Sequence, residues 1–174
     1  MATTYTHTAF NDVAPKPQGT LGTIARSTEI TWATLTNDAT YQTVINDVVK
    51  VFKLPAGAKI KRVVLDNSLD LDSGGNALDI DIQLTDGTTT KTALNGGTAA
   101  GAAGIFDSDA ASQYASGVDG INYVTPNGDF YLQLKAIAAG TGDITAAAKS
   151  TVTVEYTPCV EGGEYIRDWP SPNP

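Results

Sequence analysis

Leu78-Asp79-Ile80-Asp81-Ile82-Gln83-Leu84 alternates apolar and polar residues without a break. Leu78, Ile80, Ile82 and Leu84 therefore share one face, and Asp79, Asp81 and Gln83 the other. A period of two predicts a strand with one buried and one wet face. Phe130 to Ala136 repeats the pattern, with Phe130, Leu132, Leu134 and Ala136 inward. Thr151 to Tyr156 repeats it again, with Val152, Val154 and Tyr156 inward. Two more strands are predicted over Asp47–Leu54 and Lys59–Leu65. Pro55-Ala56-Gly57-Ala58 joins them, with proline presetting a turn and Gly57 free to take a positive φ. Glu29–Leu35, holding Ile30 and Trp32, reads as a sixth strand. Tyr41–Ile45 either adds a seventh or extends the strand that follows. No segment carries a long apolar stripe of helical period, and Asp107–Ser116 offers only a short helical turn capped by Asp107 or Ser108.

Residues 85–127 are expected to be a long, largely irregular excursion between two strong strands. Residues 1–28 have scattered apolar side chains and the break Pro15-Lys16-Pro17. Residues 158–174 hold four prolines and two glycines, which oppose helix and ladder pairing. Val160, Tyr165, Ile166 and Trp169 are nevertheless too apolar for a solvated tail. The chain is thus divided into an N-terminal arm (1–28), a β-sandwich domain (29–157) and a C-terminal arm (158–174). Either arm can fold back on its own domain or strap onto a partner through spaced aromatic anchors.

The composition agrees with an all-β chain. The 174 residues suit one domain, and 24 threonines and 17 glycines favour strands and turns over helices. A net charge of −8 argues against a nucleic-acid partner, which calls for a basic face. The N-terminus has neither the basic start nor the apolar run of a signal peptide, and no stretch is apolar enough to span a bilayer, so no membrane partner is expected. With one cysteine (Cys159) and one histidine (His7), an intrachain disulfide, a cysteine zinc site and a multi-histidine metal site are all excluded.

Little in the chain resembles catalytic machinery. Asp70, Asp72 and Asp81 fall at offsets 1, 3 and 12 of a calcium loop, but the fifth position is Gly74 and Asp81 lies in a strand. A turn-rich connection is the better reading, and no metal is expected. Asn95-Gly96-Gly97-Thr98-Ala99-Ala100-Gly101 has no following lysine, so it fails the conditions for a phosphate loop, and no cofactor is expected. Cys159 has no basic neighbour to lower its pKa and reads as inert. Carboxylates are plentiful, but none is set apart as a catalytic pair. Lys59, Lys61 and Arg62 form the one basic cluster, read as the wet face of a strand or a guarded edge in preference to a small electrostatic contact with an acidic partner. An enzyme is not expected.

The run Val51-Phe52-Lys53-Leu54-Pro55-Ala56-Gly57-Ala58-Lys59-Ile60-Lys61-Arg62-Val63, then Leu69-Asp70, Leu71-Asp72-Ser73 and Leu78-Asp79-Ile80-Asp81-Ile82, resembles tailed-bacteriophage virion proteins. These are head decoration (cement) proteins and related minor capsid components, and the resemblance covers residues 45–85. It implies a single jelly-roll-like antiparallel β-sandwich, often a homotrimer; the extended arms at 1–28 and 158–174 are read from the residues and carry no part of the resemblance. It also implies a place on the outer capsid surface after synthesis in the host cytoplasm. The implied partners are the major capsid protein and other copies of the chain. Tyr5, Phe10, Trp32, Tyr165, Ile166 and Trp169 are the candidate capsid or subunit contacts. A carbohydrate- or receptor-binding sandwich, such as a head fibre or adhesin module, is the rival reading, with Tyr114, Tyr123 and Tyr131 as its aromatic platform. A sandwich hydrolase ranks last, because no nucleophile–base pair is present.

Overall fold

The computed structural model of the chain describes residues 2–8, 23–36, 43–74, 78–96, 100–109, 117–126 and 130–158. Among these residues the elements are β1 (Thr4–Thr6), β2 (Ile24–Thr31), α1 (Trp32–Thr36), β3 (Val48–Lys53), β4 (Ala58–Asn67), β5 (Asp79–Thr85), β6 (Thr90–Leu94), β7 (Gly104–Asp107), β8 (Tyr131–Ala138) and β9 (Lys149–Pro158). They form a five-stranded sheet, β1-β3-β8-β5-β6, facing a four-stranded sheet, β2-β9-β4-β7. Without β1, the orders 3-8-5-6 and 2-9-4-7 are those of an eight-stranded jelly roll. The expected all-β sandwich is therefore present. One pairing departs from the antiparallel expectation, since β1 runs parallel to β3.

The predicted inward faces meet in one core. Leu78, Ile80, Ile82, Leu84, Phe130, Leu132, Leu134, Ala136, Val152, Val154 and Tyr156 are all buried. Each large side chain among them contributes roughly 1.5–3 kcal/mol by leaving water. Two bulges adapt strands whose sequences do not alternate cleanly. In β3 the register shifts between Lys50 and Phe52, so that Val51 and Phe52 are both buried. In β4 it shifts between Ile60 and Arg62, placing Lys61 and Arg62 together on the outer side and returning Val63 to the core. Such an extra residue bends its strand locally. Gly57 turns between β3 and β4 with φ of 71°, as its place in the corner predicts.

Several expectations are corrected. Trp32 ends the sixth predicted strand early, because it opens α1 and turns its ring into the core at 5% exposure. Residues 43–47 form a turn, not a strand. The excursion 85–127 contributes β6 and β7 to the two sheets. Asp107 closes β7, and the rest of the proposed helical turn lies largely outside the described residues. The described parts of the expected N-terminal arm lie in the sandwich, since Thr4–Thr6 forms β1 and β2 begins at Ile24. Of the C-terminal arm, only Pro158 is described, at the end of β9.

Trp32 also anchors a buried polar chain. Its indole N–H donates to Ser150 Oγ at 2.7 Å, and Ser150 donates to Asn67 Oδ1 at 2.6 Å. Asn67 Nδ2 donates to the carbonyls of Ala100 and Ala102 at 2.7 and 3.0 Å. The chain links α1, β9, β4 and the segment before β7, so each buried polar group is matched.

Candidate functional site

Of the six candidate contact residues, Phe10, Tyr165, Ile166 and Trp169 lie outside the described residues. Trp32 is committed to the core and presents almost no surface. Tyr5 is half-buried in β1, opposite Val49 of β3. With Trp32, Thr43, Asp47, Val49 and Leu134 it lines a cavity of about 20 Å³ at the open side of the core. Asp47, 5% exposed, accepts hydrogen bonds from the backbone N–H of Thr3 at 2.6 Å and of Val44 at 2.9 Å. Val48 N–H donates to Thr3 O, and His7 N–H to Lys50 O, both at 2.9 Å. The edge of β3 and the Asp47 carboxylate thus form a groove that holds an extended segment. The reading of His7 as a solvated tail residue gives way to this docking, since its backbone is paired and its side chain is partly covered.

The acidic stretch is committed to backbone amides. Asp72 is 3% exposed; its Oδ1 accepts from Gly74 and Gly142 N–H, and its Oδ2 from Thr141 N–H and hydroxyl. Burial alone would raise its pKa, but these bonds outweigh it and hold the carboxyl below the ordinary value of 3.8. Asp70 accepts from Ala103 N–H, and Asp81 from Gly96 N–H. Among the described residues no three His, Cys, Asp or Glu side chains converge as a metal site. Gly96 and Gly101 serve close packing: a Cβ would lie 2.1 Å from Ile80 O at Gly96 and 2.3 Å from Leu78 O at Gly101.

The basic cluster lies on the outer side of β4. Arg62 pairs with Asp107 of β7 and, at 3.3 Å, with Glu155 of β9. The hydrogen bond to Asp107 is the main reason that the Arg62 pKa rises and that of Asp107 falls. Tyr114 lies outside the described residues. Tyr123 packs against Phe130 with ring centroids 5.6 Å apart, and Lys91 Nζ stands 5.7 Å from its ring centre. Lys50 Nζ lies 4.9 Å from the Tyr131 ring. Tyr123 and Tyr131 are both half-buried, each with a lysine close to its ring.

Asp79 and Asp81, expected on a wet face, are only half exposed. Burial and the neighbouring Asp81 charge push the Asp79 pKa up; burial likewise raises Asp81, against the Gly96 N–H and the Lys135 charge. Asp79 Oδ1 is buried without a hydrogen-bond partner. A raised folded-state pKa favours folding below the unfolded carboxylate pKa, an advantage lost as pH rises through the folded value. Asp79→Asn should therefore raise the urea midpoint at pH 7, and the gain over wild type should vanish below about pH 4, near the ordinary carboxylate pKa. Urea titrations at both pH values check this.

Four large apolar side chains stand exposed among the described residues. Ile105 is 67% exposed on the edge strand β7, and Ile45, Leu69 and Ile137 are also exposed. Sequence reasoning missed Ile105 because strand alternation marks which residues face the core, but not which strands lie at an edge. Among the described residues, no helix is long and apolar enough to cross a membrane.

No protein-family model matches the chain, and no curated protein matches its sequence. In fold it is similar to a chain of the capsid of Ralstonia phage GP4, with a TM-score of 0.58 and 17% identity over 84% of this chain and 91% of that one. A chain of the cyanophage Pam1 capsid asymmetric unit aligns with a TM-score of 0.45 and 18% identity, over 83% of this chain and 91% of that one.

Proposed function

We propose that this chain is a structural protein of a tailed-phage virion. In this reading it is a decoration, or cement, protein that binds the outer capsid surface as a homotrimer and bridges capsid subunits. The observation that carries the reading is the shared fold with a chain of the Ralstonia phage GP4 capsid over most of both chains. It coincides with the independent sequence resemblance across residues 45–85.

The physics of the surface supports the same role. Strands β2 and β7 lie at sheet edges, where a neighbour's strand can add, and exposed Ile105 gives β7 apolar area. A net charge of −8 discourages adhesion to packaged nucleic acid. The mechanism is mechanical: binding across subunits adds free energy that outward pressure must overcome. Three linked copies that engage several subunits convert weak contacts into firm attachment through effective concentration. The segment 159–174, with Tyr165, Ile166 and Trp169, is the proposed strap to the capsid, together with Phe10.

The test uses heads of the encoding phage assembled without this protein. The full chain should co-sediment with them as a trimer and raise the temperature at which they release DNA. A chain ending at Pro158 should bind about tenfold more weakly or worse, because one of several linked contacts is gone. Failure of the full chain to co-sediment would overturn the role, and equal binding by the shortened chain would overturn the strap.

A further inference from the structure

We propose that the groove beside β3 receives the N-terminal strand of a second copy of this chain, so that β1 is exchanged between neighbours. The structure shows what the groove binds. An extended Thr3-Thr4-Tyr5-Thr6 segment lies parallel to β3, with Thr4, Tyr5 and Thr6 opposite Val48, Val49 and Lys50. Tyr5 fills the side of the core beside Trp32 and Val49, and the buried Asp47 carboxylate fixes the Thr3 N–H. Without an occupant, Asp47 and the Val48 N–H would lose these partners, so the groove demands one.

The occupant need not come from the same chain. β1 lies outside the eight-strand frame, which is complete without it. Seventeen residues separate β1 from β2. At 3.3–3.6 Å per residue they reach at most about 60 Å. An exchanged strand makes the same hydrogen bonds and packs the same tyrosine, so the two arrangements differ mainly in linker entropy and local concentration. Three residues of ladder also open more readily than a core strand. Each copy carries one donor and one groove, so three copies can close a head-to-tail ring. This inference deepens the homotrimer reading and rests on it, but its test needs only free protein and stands apart from capsid binding.

The test uses a Cys159→Ser background. Thr6→Cys and Lys50→Cys proteins are mixed, concentrated and oxidised. Thr6 and Lys50 are opposite one another in the ladder, within the reach of a disulfide. The expected result is a disulfide-linked heterodimer about tenfold above that from Thr6→Cys mixed with Thr88→Cys, where Thr88 is an exposed turn residue remote from the groove. Yields equal to this control would overturn the exchange. The double variant Thr6→Cys/Lys50→Cys provides a second measurement. Linked oligomers that grow with concentration support exchange, and intramolecular links alone at every concentration overturn it.

Discussion

Trp32→Ala is expected to cost about 4 kcal/mol of folding free energy, since truncating a buried tryptophan typically costs 3–5 kcal/mol. Two losses combine. The ring fills the core at the α1 end with 5% exposure, and its indole N–H satisfies Ser150, itself fully buried. For a chain of this size the melting temperature should fall by roughly 10 °C. Trp32→Phe separates the two losses, because it keeps much of the volume and removes the donor. Ser150→Ala alone strands the Trp32 N–H and removes the donor to Asn67. If the three groups act as one network, the Trp32→Phe/Ser150→Ala double variant should lose less than the sum of the single losses. Urea unfolding with an unchanged slope is the measurement. A loss under about 1 kcal/mol for Trp32→Ala would mean that the site collapses freely around the smaller side chain.

Asp72→Ala is the second large effect, expected near 3 kcal/mol, since each buried donor left unsatisfied costs about 1–3 kcal/mol. The carboxylate gathers backbone N–H groups from Gly74, Thr141 and Gly142, and so ties the β4–β5 connection to the β8–β9 connection. Asp72→Asn is milder in shape but puts an amide donor where another donor already points. The pH dependence has a definite sign. The folded-state pKa is depressed, so the stabilisation is present above the ordinary carboxylate value and is lost as pH falls through the folded one. The gap between wild type and Asp72→Asn should be widest at neutral pH and shrink in strong acid. Asp79→Asn should behave in the opposite sense, which makes the two substitutions mutual controls.

How far these features were legible differs by residue. The strands around Ile80, Leu132 and Val152 followed from alternation alone, because each buries one face along its whole length. β6 and β7 escaped because each is short: Thr90–Leu94 and Gly104–Asp107 contain too few periods to stand out from a polar loop. β1 escaped for the same reason, with three residues and a single apolar one, Tyr5. Trp32 was read as strand because Ile30 and Trp32 continue the alternation of Glu29–Leu35; the reversal into α1 is made by tertiary packing over the end of the core. Asp72 resembled a metal ligand because cations and backbone amides make the same demand on a carboxylate. Only the fold shows which of them answers it. The groove at Asp47 could not be read locally, since Thr3 reaches the carboxylate from 44 positions away, although Val44 lies only three residues before it.

The place of β9 has a consequence for synthesis. It lies between β2 and β4 in its sheet, hydrogen-bonded along both, although it is the last of the described strands to leave the ribosome. Until Lys149–Pro158 has been made, the inner edges of β2 and β4 have no mate, and the four-stranded sheet cannot close. Nascent chains therefore carry two exposed edges through most of translation, the condition in which β-rich polypeptides aggregate. Ribosome stalling or truncation anywhere before β9 should yield insoluble product, not a smaller folded fragment.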